Sequence, residues 1–475
     1  MGIKISKICA CENEKNNNNF EQNLSNNKKN VIKINNNKQL LIIKSRNFLN
    51  KNNFNSSIIS TSFENKNFDS TTKEIHYKNG DFYKGEILVK NNQKIKNGKG
   101  KYFFNISNNN NNFNKENNEY YYEGEFQNDK FHGKGILNLP NLNYEGNFVN
   151  GFKNGKGTLK DYKNDLIYTG EFLNDVIQGE GTETNNKNKT KYVGFFIDNK
   201  KNGKGKYFFN ISINNNNNFN KENNEFYYEG EFQNDKFHGK GILNLPNLKY
   251  EGNFANGFKN GKGILKDYKN NIIYKGEFLN DFIQGEGIEI NNNNNTKYVG
   301  YFINNKKYGK GKLFFNINNN NNNEFYEGNF KNDKFNGKGI YKWSNNKFCI
   351  GNWKDNFLKG FGKFYEKDEI FFGFFNNNKK EGLGIKFYKE NKLLILSHWM
   401  NDLIEGLAIF ANKKDIEYYE MKNNKRINKL NLIDINNNIE KLDEFRRLKE
   451  FYFCLEQNDE LNQEIFKNYV KLFNE

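Results

Sequence analysis

Tyr121–Gly135 reads YYEGEFQNDKFHGKG, and Tyr227–Gly241 reads YYEGEFQNDKFHGKG again, 106 residues further on. Both are instances of one pattern, Tyr-x-Gly-x-Phe followed seven residues after the Phe by Gly-x-Gly, which recurs from about residue 83 to residue 410. Side chains alternate across a strand, so Tyr122, Gly124 and Phe126 share one face. The Asn128-Asp129 pair that follows is turn chemistry. Gly133-Lys134-Gly135 then returns as a second strand, with bare backbone where an aromatic ring can lie. Each unit is therefore expected to be a β-hairpin. One hairpin cannot close a core of its own, so successive hairpins must stack. About 26 strands at about 4.8 Å each predict a rod-like sheet on the order of 120 Å long.

Complete units begin at Tyr122, Tyr144, Tyr168, Tyr192, Tyr228, Tyr250, Tyr274, Tyr298 and Tyr326. An earlier one, Tyr83-Lys84-Gly85 with Gly98-Lys99-Gly100, carries an insertion. Three later ones are degenerate: Cys349-Ile350-Gly351 leads to Gly360-Phe361-Gly362, Phe371-Phe372-Gly373 to Gly382-Leu383-Gly384, and Ile395-Leu396-Ser397 to Gly406-Leu407-Ala408. The series resembles the MORN (membrane occupation and recognition nexus) repeat, close to YxGxFxxGxxxGxG, over roughly 70% of the chain. The middle glycine of that motif is here usually Asp or Asn, as at Asp129, Asp175, Asp235, Asp281 and Asp333, while Gly151 and Gly257 keep it. Asp and Asn tolerate the left-handed turn conformation, so the hairpin survives the change. The expected fold is mainly β: an elongated meander of about thirteen MORN hairpins in a single-layer twisted sheet. A disordered N-terminal tail and a C-terminal helical segment flank it. Residues 102–208 and 208–314 correspond at the 106-residue offset, four units per block, which marks a tandem duplication. His132 and His238 read as copies of one surface histidine, with Asn336 at the next equivalent position.

Aromatic residues make up 16% of the chain, so packing falls to Tyr and Phe rather than to Leu and Val. Asn runs (Asn108–Asn112, Asn214–Asn218, Asn291–Asn295, Asn318–Asn323) read as solvated insertions that bury nothing. A net charge of +17 favours acidic partners. Lysines stand between the paired glycines at Lys99, Lys134, Lys156, Lys204, Lys240, Lys262, Lys310 and Lys338, with Glu180 and Glu286 interrupting the row. Such a row can meet acidic phospholipid headgroups at roughly 1 kcal/mol per lysine. It can equally be a solvated face whose lysines protect against edge pairing. No apolar run approaches the length of a membrane span, and the start lacks a secretory signal. Four cysteines without an even framework suit a reducing compartment.

The chain opens Met1-Gly2-Ile3-Lys4-Ile5-Ser6-Lys7-Ile8-Cys9-Ala10-Cys11. Gly2 with Ser6 matches the N-myristoylation pattern. One myristoyl chain holds a protein only marginally, and palmitoyl groups on Cys9 and Cys11 would supply a second anchor. Lys4 and Lys7 add attraction to an anionic leaflet. No metal shell can be completed around the two cysteines from neighbouring residues.

Past about residue 412, Ile439, Leu442, Phe445, Leu448, Tyr452 and Leu455 recur at helical spacing, and Leu461, Ile465, Tyr469 and Leu472 continue it in a second helix. This segment is expected to fold back over the aromatic face near Trp353 and Trp399, or to bind a partner or a second copy in a homo-dimer. The organisation is then 1–75, an acylated Asn-rich tail; 76–411, the repeat array; and 412–475, a helical cap. No phosphate loop, kinase signature or nucleophile motif appears, so neither catalytic residues nor cofactors are assigned. Nucleic acid is not an expected partner, because no recognised binding module is present. Taken with the acylation pattern, the resemblance implies a non-catalytic scaffold that tethers protein partners or a membrane skeleton to the cytosolic face of a membrane. The alternative is a regulatory or localising subunit of a phosphoinositide kinase or similar enzyme.

Overall fold

The structure is a computed structural model that describes residues 72–105, 120–209, 226–318, 324–412 and 414–458. The chain divides into two compact units, one reaching to Asn271 and the other beginning at Ile272. The first holds β1 (Thr72–His76) and seven hairpins. These are β2 (Phe82–Lys90) with β3 (Gln93–Phe103), β4 (Tyr121–Gln127) with β5 (Lys130–Leu139), and β6 (Leu142–Val149) with β7 (Phe152–Asp161). Next come β8 (Leu166–Leu173) with β9 (Val176–Asn185), and β10 (Thr190–Ile197) with β11 (Lys200–Phe209). The last two are β12 (Phe226–Gln233) with β13 (Lys236–Leu245), and β14 (Leu248–Ala255) with β15 (Phe258–Asp267).

The second unit continues with β16 (Ile272–Leu279) and β17 (Phe282–Asn291), β18 (Thr296–Ile303) and β19 (Lys306–Phe314), and β20 (Phe325–Lys331) and β21 (Lys334–Lys342). Then follow β22 (Phe348–Lys354) and β23 (Phe357–Tyr365), and β24 (Glu369–Asn376) and β25 (Lys379–Tyr388). The series closes with β26 (Leu393–Met400) and β27 (Leu403–Ala411), and β28 (Ile416–Lys422) and β29 (Lys425–Leu430). Two helices follow, α1 (Leu432–Asn436) and α2 (Ile439–Asn458). Within each unit every strand pairs antiparallel with its sequence neighbours, an open meander as the period-two pattern requires.

Each part of the repeat has a physical task. The Asn-Asp turns hold positive φ at both central residues, 50° at Asn128 and 68° at Asp129, the primed geometry that matches strand twist. The tyrosine ring lies flat on the glycine backbone: a Cβ on Gly135 would come within 2.5 Å of the Tyr122 hydroxyl. Tyr144 meets its own Phe148 and the next hairpin's Phe172 edge-to-face, both at 5.1 Å, so the rings bury one another along the sheet. The first glycine of Gly-x-Gly does something the sequence reading did not anticipate. It adopts positive φ (Gly179, 81°) opposite a register shift between Gly170 and Phe172, a β-bulge built into the hairpin. The tyrosine hydroxyl then donates to the backbone carbonyl three residues on, as Tyr144 does to Asn147 (3.0 Å) and Tyr228 to Glu231 (2.8 Å). That is why the position is Tyr rather than Phe.

The turn Asp or Asn also latches neighbouring hairpins together. The Asp175 N–H donates to the Lys153 carbonyl (3.0 Å), and Asp175 Oδ1 accepts from the Lys153 N–H (2.9 Å). Asn199 does the same for Ile177, Asp333 for Lys307, Asn378 for Leu358 and Asn424 for Ile404. Gly151 keeps only the backbone half, donating to Phe131 O at 2.8 Å.

Two expectations about the carboxyl-terminal region are corrected. A fourteenth hairpin, β28–β29, follows residue 412, and the first described helix begins only at Leu432. Glu417, Tyr419 and Met421 alternate too weakly with apolar residues to be read as a strand from pattern alone. The helix also covers the other face. Trp353 and Trp399 are buried on the aromatic face by Tyr326, Phe335 and Phe371. α2 instead packs Leu448, Tyr452 and Leu455 against Phe372, Ile385, Leu396 and Ile409, on the opposite side of β24–β27. The reason is local: these hairpins put apolar residues where earlier ones put Lys, Glu and Thr.

Candidate interaction surface

The face opposite the tyrosines, here the outer face, is where the described residues offer side chains to a partner. Two rows cross it at right angles to the strands. One contains the lysines between paired glycines, and Lys99, Lys134, Lys156, Lys204, Lys240, Lys262, Lys310 and Lys338 are all exposed. The other runs Ile136, Glu145, Thr158, Thr169, Thr182, Val193 and Lys206 in successive cross-strand pairs. In the first unit these rows line a shallow open groove with Glu123, Lys134, Lys156, Glu180, Phe195 and Lys204 along its walls.

The register makes this face mixed in charge rather than a cationic stripe. Lys99 stands opposite Glu125, Lys156 opposite Glu171 and Lys204 opposite Glu231. Lys134, Lys240, Lys310 and Lys338 stand opposite asparagines. Glu180 faces Phe195, and Glu286 faces Tyr301. Farther along the strands, Lys101–Glu123 (3.2 Å), Lys206–Glu229 (3.1 Å) and Lys312–Glu327 (2.8 Å) pair across neighbouring hairpins, each lysine also lying over an aromatic ring. Exposed pairs of this kind add little stability, up to about 1 kcal/mol, but they set the polarity a partner meets.

A second set of lysines escaped the sequence reading because it lies on the aromatic face. Lys96, Lys153, Lys201 and Lys259 are buried. Lys153 Nζ sits 5.7 Å from the Tyr144 ring and 3.2 Å from Asp175 Oδ1, and Lys201 Nζ sits 2.7 Å from Glu183. Burial pulls the Lys201 ammonium below its ordinary range, with Asp235 opposing that shift. These cations cap ring faces and answer turn carboxylates, so they are structural.

Among the described residues no group of three or more His, Cys, Asp or Glu is placed to hold a metal. Burial pushes the Cys349 thiol up to about 12, and Cys454 is exposed on α2. His132 and His238 are half-buried rather than surface residues, each with an Nδ1 closed off from solvent and without a hydrogen-bond partner. Their carbonyls accept from Tyr122 and Tyr228 at 3.1 Å, which ties the position to the hairpin itself. Gly2, Lys4, Lys7, Cys9 and Cys11 lie outside the described residues, as does the second helical stripe from Leu461 to Leu472. No helix among the described residues is long and apolar enough to cross a membrane.

The geometry defines, within each unit, a repeat-built β-meander. The MORN repeat family model matches eleven times between residues 122 and 390, from 122–143 through 371–390, and the chain belongs to that family. Comparison with curated proteins gives no match. The hairpins starting at Tyr83 and Ile395 and the β28–β29 hairpin lie beyond the matched span, and their geometry extends it at both ends.

Proposed function

We propose that the protein is a non-catalytic scaffold held at the cytosolic face of a membrane by acyl groups on Gly2, Cys9 and Cys11. The outer face of each unit would present partners with a mixed-charge surface. The observation that carries this reading is the coincidence of two features in one chain. An acylation-type amino terminus precedes an array of repeats that builds surface and little else. MORN repeats are consistent with a membrane-associated scaffold. Two acyl chains would supply stable attachment where one would not.

A second reading, as a regulatory or localising subunit of a phosphoinositide kinase or similar enzyme, draws on the eight exposed lysines as contacts for acidic phospholipids. The glutamates opposite Lys99, Lys156 and Lys204 favour a protein partner instead.

Membrane fractionation tests the first reading. Gly2→Ala should move the protein to the soluble fraction, and Cys9→Ser with Cys11→Ser should leave it loosely held. Variants that sediment like the parent would refute the anchor. In the same series, flotation of unacylated protein on neutral and phosphoinositide-containing vesicles separates the readings: equal recovery removes the lipid-contact reading, and selective recovery supports it.

A further inference from the structure

We infer that the bulges at Gly203-Lys204 in the first unit and Gly309-Lys310 in the second are seats where a partner protein's helix places a glutamate. The inference rests on the reading of the outer face as a partner surface, and it starts from how the chain fills the same bulge elsewhere. The positive φ of the bulge glycine clears a space that a carboxylate enters from the preceding strand. A Cβ on Gly133 would come within 2.3 Å of Glu125, one on Gly179 within 2.1 Å of Glu171, and one on Gly285 within 2.2 Å of Glu277. The amide after the glycine donates to that carboxylate, Lys134 N–H to Glu125 at 3.3 Å and Lys240 N–H to Glu231 at 3.2 Å. Both donors lie at the register shift, where the ladder is interrupted.

The bulge on β27 is served from outside the sheet. On β26 the strand position of Glu125 holds His398, and the carboxylate comes instead from α2. Glu444 accepts from the Leu407 N–H at 3.0 Å and lies within 2.3 Å of where a Cβ on Gly406 would stand. In the same docking Phe451 of α2 meets Phe374 at 6.0 Å, the aromatic residue that stands at the glutamate position of β24. A helix therefore engages this face with a carboxylate in the bulge and a ring on the strand's aromatic residue.

β10–β11 and β18–β19 offer both features within one hairpin. Their strand position holds Phe195 and Tyr301, 39% and 41% exposed, with Val193 and Val299 two residues earlier also exposed. A Cβ on Gly203 would find only Phe195 atoms, at 3.7 Å and beyond, and one on Gly309 only the Tyr301 Cβ at 4.0 Å, so the place of the carboxylate stays open. Lys204 and Lys310 are exposed and bring positive charge to the seat. Of the acidic neighbours, Glu231 opposite Lys204 already accepts from the Lys240 N–H, while Glu180 faces Phe195 and Glu286 faces Tyr301. Asn329 stands opposite Lys310. Amide, ammonium and ring together select a helix with a glutamate and, one turn on, an aromatic residue. Four helical residues rise about 6 Å, close to the strand spacing of about 4.8 Å.

Hydrogen exchange on the unacylated full-length chain tests this, with an alanine-based helical peptide carrying Glu and, four residues later, Phe as the probe. The peptide should slow exchange across residues 200–206 and 306–312. Its counterpart with Gln for Glu should bind about ten-fold more weakly, because the hydrogen bond lost is charge-assisted. Tyr301→Glu fills the seat from within, as Glu125 does at Gly133, so it should abolish protection at 306–312 and leave that at 200–206. The fold accepts the change, since Glu86, Glu125, Glu171, Glu231 and Glu277 occupy that position in other hairpins. Equal protection by the Gln peptide, or protection at 306–312 that survives Tyr301→Glu, would overturn the inference. So would no protection at all, or protection confined to 403–409, where the probe competes with Glu444. No membrane enters the measurement, so its failure and failure of the acyl anchor are read separately.

Discussion

Raising the pH past 10 should dismantle this protein through its tyrosines, and the structure sets how steeply. Ten of them (Tyr83, Tyr122, Tyr144, Tyr168, Tyr192, Tyr228, Tyr250, Tyr274, Tyr298 and Tyr326) are essentially inaccessible and lie on glycine backbone. The hydroxyls donate to carbonyls at the bulge, as in Tyr168 to Glu171 (3.1 Å) and Tyr192 to Phe195 (3.0 Å). Burial holds the phenols of Tyr83, Tyr122, Tyr144, Tyr168, Tyr192, Tyr228, Tyr274, Tyr298 and Tyr326 far above their ordinary value of 10.0, because a phenolate there would lose both hydration and its donor proton. The native state therefore keeps the protons while the unfolded chain releases them. Stability is complete below pH 10 and falls as the pH climbs. One unit above the unfolded value, each site costs RT ln 11, about 1.4 kcal/mol, and nine such sites sum to about 13 kcal/mol. That is comparable with the whole stability of a domain. Ultraviolet absorbance of tyrosinate, recorded with far-ultraviolet circular dichroism through an alkaline titration, reads both events. The exposed tyrosines should ionise first, and these nine buried ones should follow in a steep step coincident with loss of β signal. Tyr144→Phe should lower the number of protons released in that step by about one. A single smooth ionisation of all 27 tyrosines near pH 10 with the β signal intact would refute the reasoning.

The remaining predictions concern stability. Asp175→Gly keeps the turn but strips the acceptor from both the Lys153 N–H and its buried ammonium, so chemical denaturation should show a loss of about 3–5 kcal/mol. The reverse change, Gly151→Asn, adds the missing half-latch to Phe131 at a position with open space and φ of 91°, and should stabilise by about 1 kcal/mol in the same assay. Gly135→Ala drives a methyl group into the Tyr122 ring and should destabilise by roughly 3 kcal/mol, which thermal unfolding will register. Burial raises the Glu444 carboxyl, with Glu420 adding to the shift and His398 and Lys441 opposing it. Its contribution is therefore complete in acid and declines as the pH rises through the shifted value. Glu444→Gln should accordingly hold α2 at least as firmly as the parent at neutral pH, measured as amide exchange across residues 439–458.

Much of the fold was legible because the repeat states it many times over. Period two at Tyr122, Gly124 and Phe126 gave the strand, Asn128-Asp129 gave the turn, and the Gly135 site for a ring followed from both. Three things stayed hidden for definable reasons. The bulge at Gly133 shifts the register, so His132 stands opposite Glu125 where an unbroken ladder would set it opposite Gln127. Lys153 and Lys156 fall on opposite faces as their odd spacing requires, one inward at Tyr144 and the other to solvent, and a lysine on the aromatic face is what polar-outside reasoning passes over. The face covered by α2 was written in the degenerate units, where Phe361, Leu383 and Leu407 replace the lysine between paired glycines. That substitution marks a face withdrawn from water, and the Trp residues drew the expectation to the wrong side. Of the candidate surface, the lysines were found from spacing alone. Their glutamate neighbours were not, because cross-strand register depends on turn and bulge geometry that a single strand does not disclose.

The latch between hairpins gives the array a direction in time. An amide such as that of Ile177 receives its acceptor only when Asn199, 22 positions later, has arrived. During synthesis, then, the leading edge of a growing unit carries an unanswered donor wherever the next turn brings an Asp or Asn, and that turn silences it while exposing another. Within each unit completion moves hairpin by hairpin, and in the second unit β29 (Lys425–Leu430) is where the described latches end.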